Sequence, residues 1–136
     1  MKKGKRVKPK FPIEYRVLIT PLYKEREKEI VTRVAIRTVN EFTNFRYEIV
    51  VVPVLADNVL KLCITGLRAP QVTIPGTGPA IYTAEYRNFR GLYDVIVSKP
   101  GRDDNTFSVR ISDKKVIIES APKKKFVEVV TDEEEW

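Results

Sequence analysis

The sequence predicts an all-β domain: an antiparallel β-sandwich or barrel-like sheet of about seven to nine short strands. Three observations predict it. Short runs rich in β-branched and aromatic residues recur along the whole chain. Gly, Pro, Asn and Asp turn signals separate those runs, with only one segment showing helical apolar spacing. A chain of 136 residues, 43% apolar and 32% charged, suits one hydrophobic core rather than two domains.

The first strand falls on Glu14 to Ile19, which alternates polar and apolar residues and ends before Pro21, since proline cannot donate to a ladder. Residues 25–42 are the one segment with two readings. As a helix they stack Val31, Val34, Ala35, Val39 and Phe42 in a stripe, which gives the alternative fold class, α+β with one helix at about 25–42. As a strand they place Thr32, Val34, Ile36 and Thr38 on one face. Seven of the ten residues from 30 to 39 are β-branched, and that favours the strand.

Arg46 to Val52 and Val59 to Ile64 form a hairpin around Ala56-Asp57-Asn58, with Pro53 marking a bulge or an edge position. Residues 66–79 hold three Gly and three Pro and read as a long loop. Ala80 to Arg87 and Leu92 to Ser98 are two further strands. A second hairpin pairs Thr106 to Ile111 with Val116 to Glu119, and a short strand at Phe126 to Val130 follows a lysine-rich linker. The organisation expected is a disordered basic arm at 1–10, one β-rich domain at 11–121, and a basic linker, short strand and acidic tail at 122–136.

Charge is distributed unevenly along this frame. The net +7 comes from 25 Lys and Arg against 18 Asp and Glu. Lys2, Lys3, Lys5, Arg6, Lys8 and Lys10 place +6 in the arm, and three lysines against five acids leave −2 in residues 122–136. The body is therefore close to balanced, and the charge suggests attachment through the ends rather than one basic face.

The chain has no histidine and a single cysteine, Cys63. That excludes imidazole bases, His-bearing metal sites, an intrachain disulfide and an all-cysteine zinc site within it. Ser112 and Lys115 match Ser-x-x-Lys but span a turn, where the two groups do not aim at one substrate. Gly76-Thr77-Gly78 is followed by Pro79, which lacks the N–H that a phosphate loop needs. Asp103-Asp104-Asn105 lacks calcium-loop spacing and reads as a turn. Cys63 reads as a core thiol. Glu14, Glu48, Glu85 and Asp94 are the carboxylates that an acid–base enzyme would have to pair in space. The expectation is no enzyme, no cofactor and no metal.

No export signal or membrane-spanning helix is legible. Lys10 leads into Phe11-Pro12-Ile13-Glu14 without an apolar stretch, and the longest apolar run, Ile49 to Ala56, is far short of the roughly 20 residues a spanning helix requires. The expected setting is the cytoplasm, or a particle assembled there, with no membrane partner.

The leading functional expectation is a structural or adaptor subunit that docks into a larger protein assembly, such as a virion or filament, or onto further copies of itself. Its contacts would be the arm residues named above and, in the tail, Glu133, Glu134, Glu135 and Trp136, the tryptophan serving as an anchor in a partner pocket. The competing expectation is a nucleic-acid-binding β domain. There the arm supplies affinity, and Arg46, Tyr47, Tyr86, Arg87, Phe89 and Arg90 supply contacts from strands where basic and aromatic residues interleave.

Overall fold

The computed structural model describes residues 12–43, 46–69 and 76–136. They form nine strands: β1 (Tyr15–Lys24), β2 (Glu29–Thr38), β3 (Glu48–Ala56), β4 (Val59–Arg68), β5 (Ile81–Tyr86), β6 (Gly91–Ser98), β7 (Asn105–Ile111), β8 (Val116–Ser120) and β9 (Val127–Val130). A single 3-10 turn, Glu133–Glu135, follows β9. All nine strands belong to one sheet in the order β8-β7-β6-β4-β3-β5-β2-β1-β9, curled into a nearly closed barrel.

The fold class is all-β and takes the barrel-like form of the sandwich or barrel-like sheet that the turn spacing predicted, though with three parallel pairings it is mixed rather than antiparallel throughout; the helix alternative at 25–42 is overturned. Residues 25–28 are a four-residue turn with Lys28 at φ 55, and β2 pairs with β1 in an unbroken register from Tyr15↔Thr38 to Lys24↔Glu29. β-Branched side chains, stiff against a helical turn, pack here on a pleat: Val34 and Ile36 face the core.

Two strands outrun their expected ends. β1 continues through Pro21 because β9 pairs only as far as Leu18, so position 21 has no ladder on that side to miss a donor. β4 continues through Gly66 to Arg68, held by β3. Five neighbour contacts are antiparallel, while β1/β9, β4/β6 and β3/β5 are parallel.

Alternation sends Val17, Ile19, Val34, Ile36, Leu60, Leu62, Ile64, Val95, Val97, Phe107 and Val109 into one buried core. Cys63 is corrected by the same rule. Its neighbours Leu62 and Ile64 point inward, so the thiol lies half-buried on the outer face beside Lys61 rather than in the core.

Closure depends on β9, which lies beside β1 although 112 residues separate Arg16 from its ion-pair partner Glu128. Asn105, 2% exposed, fixes the start of that strand. Its Oδ1 accepts the N–H of Phe126 at 2.9 Å and of Val127 at 3.3 Å, and its Nδ2 donates to the Lys124 carbonyl at 3.2 Å. The carbonyl of Phe126 then accepts the N–H groups of Glu14 and Tyr15. Residues 126–130 thus belong to the barrel itself.

Candidate functional site

The sheet has one internal discontinuity. β3 and β5 are neighbours only through Glu48↔Ile81, after which β3 parts from β5 and, among the described residues, keeps β4 alone as its partner. A register shift between Val50 and Val51 accompanies the parting. Beyond it no described residue pairs along the free side of β3, and its side chains are exposed: Val52 50%, Val54 51% and Leu55 46%.

Hairpin geometry fixes which groups the free edge displays. Two residues, Asp57 and Asn58, connect Ala56 to its partner Val59, and a two-residue loop closes on a hydrogen-bonded pair. The alternation along the strand then turns Val52, Val54 and Ala56 toward β4. The N–H and C=O of Val51 and Leu55 point outward, together with the C=O of Pro53. The Asn58 carbonyl accepts the Asp94 N–H from β6 on the far side of β4, which fits the same alternation. Proline therefore sits where its missing N–H faces the open edge, the position expected of a strand end kept from indiscriminate pairing. The eight residues from Ile49 to Ala56 carry no charge.

At the top of the split lies a cleft of about 470 Å³ lined by Arg46, Tyr47, Glu48, Arg68, Ile81 and Tyr82, among others. Arg68 donates through Nε and Nη2 to one Glu48 oxygen at 3.0 and 2.8 Å. Arg46 lies against Gly76, where an added Cβ would meet its Nε at 3.3 Å.

The arm residues Lys2, Lys3, Lys5, Arg6, Lys8 and Lys10 lie outside the described residues. In the tail, Glu133 lies 3.8 Å from Arg33, while Glu134 and Glu135 are exposed. Trp136 packs on its own barrel, against Leu18, Ala35 and Val130 on the outer face of β1, β2 and β9. Its indole N–H donates to the Arg16 carbonyl at 3.3 Å. Arg37 donates to the Trp136 carbonyl at 2.6 Å and places its guanidinium 5.9 Å from the ring centroid. An anchor role for this ring in a partner pocket would require its release.

The basic-aromatic residues are not brought onto one surface. Phe89 is 3% exposed and stacks between Tyr86 at 5.2 Å and Tyr93 at 4.1 Å in the core. Burial, then the charge and hydrogen bond of Tyr82, push the Tyr86 hydroxyl up to about 12. Arg87 sits 2.9 Å from Glu29, a Coulombic pair because Glu29 Oε1 has no aligned donor, and Arg90 pairs with Asp113. Tyr47 packs edge-on against Phe42 at 5.2 Å.

The four carboxylates are each engaged separately. Glu48 holds Arg68, Glu85 holds Lys24, Asp94 accepts from Ser108, and Glu14 accepts from both Lys99 and Arg102. Burial raises the Glu14 carboxyl, but the hydrogen bonds and charges of Lys99 and Arg102 outweigh it and hold the group below the usual carboxylate range. Ser112 caps its turn, its hydroxyl bonded to the Lys115 backbone. Among the described residues no three acid or cysteine side chains converge as a metal cage, and no helix is long and apolar enough to cross a membrane.

The open β3 edge escaped sequence reasoning, although a signal was present. Eight consecutive uncharged residues on a strand with one partner cannot all face a core, and Pro53 already pointed to an edge. No family model, curated protein or solved structure gives a significant match to this chain.

Proposed function

We propose that this protein is a non-enzymatic structural or adaptor subunit that docks into a larger protein assembly. One observation carries the reading: among the described residues the sheet keeps an open, uncharged edge at Val51–Ala56 with apolar side chains exposed on both of its faces. Such an edge presents backbone donors and acceptors in strand spacing together with apolar area, the combination that another chain joins by strand addition. The arm residues Lys2 to Lys10 and the exposed acids Glu134 and Glu135 add charge of opposite sign at two ends, suited to steering and orienting such a contact.

The test is to size extracts of the source cells carrying either the wild-type chain or V52K/V54K. The wild type is expected in particles larger than its own dimer and the variant as the free chain. Both running as the free chain would remove the proposal. Titration with labelled single- and double-stranded DNA and RNA probes the competing reading. Binding that falls about a thousandfold between 50 and 200 mM salt, and that vanishes without residues 1–10, would assign the arm to nucleic acid instead.

A further inference from the structure

We infer that the β3 edge pairs with the β3 edge of a second copy of this chain, antiparallel and across a two-fold axis at Pro53. The inference rests on the adaptor reading for the edge being a docking surface and goes beyond it in naming the occupant.

The strand is complementary to itself. With the axis at Pro53, Val52 lies opposite the partner subunit's Val54, and Val54 opposite the partner subunit's Val52, all on the outer face. Leu55 meets the partner subunit's Val51 on the inner face. Each of the three large apolar side chains that β3 leaves exposed, Val52, Val54 and Leu55, so acquires an apolar cross-strand neighbour. The outward backbone groups agree. Val51 and the partner subunit's Leu55 exchange both ladder bonds, as does the symmetric pair, and the two prolines face each other at the one position where neither chain has an N–H to offer. The two proline carbonyls then face each other without a donor, the one unmet pair of the contact, and the register is set by the side-chain pairing, which gives all three exposed side chains apolar neighbours.

Charge does not oppose the contact despite the net +7 of the chain. The strip from Ile49 to Ala56 is neutral, and the nearest basic side chain across the hairpin is Lys61, paired with Val54 on β4. Three strand spacings separate it from its symmetry mate, roughly 14 Å, beyond the Debye length of about 8 Å at physiological salt. Five paired residues per copy, Val51 to Leu55, with both faces covered bury on the order of 500 Å² per copy, the low end for a specific interface, which suits a reversible dimer rather than an obligate one. Isologous contact of this kind also closes on itself and leaves the exposed acids Glu134 and Glu135 of both copies open to other partners.

Sedimentation equilibrium of the full chain from about 5 to 500 µM tests the inference, with amide exchange at both ends of that range. The wild type should pass from monomer to dimer and no further, and V54K should stay monomeric with unchanged circular dichroism. The amides of Val51 and Leu55 should gain at least fivefold protection with concentration, while those of Val52 and Val54, already bonded to β4, should not change. Should V54K misfold, V52K supplies the same comparison. A wild type monomeric at 500 µM overturns the inference, as does a dimer whose Val51 and Leu55 amides exchange as in the monomer. If the wild type is monomeric and V52K/V54K still loses its place in the larger particle, the second copy is eliminated as occupant while the adaptor reading stands.

Discussion

The two sides of this barrel face the same problem and meet it differently. On the β1 side, Leu18 and Ala35 put apolar side chains on the outer face, and β1 has a free edge. The chain covers both itself, with Val130 and Trp136 over the side chains and β9 along the edge. On the β3 side, Val52 and Val54 occupy the equivalent outer positions and β5 departs after one residue pair. Nothing among the described residues covers them. The contrast teaches where to look for work: apolar surface that a chain seals with its own terminus serves stability, whereas the same surface left open on a neutral edge is available to another molecule.

Substitutions on the two sides should therefore fall into opposite classes. The largest effect is expected from Asn105→Ala, which strips the acceptor from two buried backbone N–H groups at the start of β9. A loss of about 3 kcal/mol in chemical unfolding is expected, with no change in association. Trp136→Ala uncovers Leu18 and Ala35 and should cost about 2 kcal/mol by the same measurement. Glu14→Gln at the start of β1 should cost about 1 kcal/mol at pH 7.

Because the Glu14 carboxyl is held below its unfolded value, its contribution is complete above the unfolded pKa of about 4.3. It is lost as pH falls through the lower folded value. Wild type and E14Q should thus converge in stability in acid, and a constant difference down to pH 2 would contradict the pairing. On the open side, Val54→Thr should change stability by less than about 0.5 kcal/mol and weaken self-association. A cost there as large as that of Trp136→Ala would erase the distinction between the two sides.

Much of the fold was legible because alternation and turn chemistry are local. The β3–β4 hairpin, the β7–β8 hairpin and the strand at β2 follow from β-branched runs and the residues between them. What was not legible is pairing at a distance. Nothing local in Phe126 to Val130 says that it lies parallel to Tyr15–Leu18, and the reason, Asn105 bonding the Phe126 and Val127 amides, is a three-body arrangement.

The same holds for the site. Phe89 and Tyr86 are nucleic-acid contacts only in the competing expectation, and the alternation of basic and aromatic residues does not tell a stacking surface from core rings; ring packing takes both inward beside Arg87 and Arg90. Trp136 read as free because four acids precede it, yet the 3-10 turn swings it back onto Leu18. The departure of β5 from β3 depends on how a whole sheet curls and leaves no residue signature beyond Pro53 and the neutral run around it.

The position of β9 also sets the order of events in folding. Of the nine strands, β9, which completes the β1 edge, is made last and β1 first. Until residues 126–130 are made, the growing chain holds an unpaired apolar strand edge at β1 as well as the one at β3. Ladder contacts spanning more than a hundred residues carry a high loop-closure entropy, so barrel closure should be the slow step, in the millisecond-to-second range typical of high-contact-order β domains. Between the synthesis of β1 and that of β9, the chain is exposed to mispairing at an edge that the folded barrel no longer has.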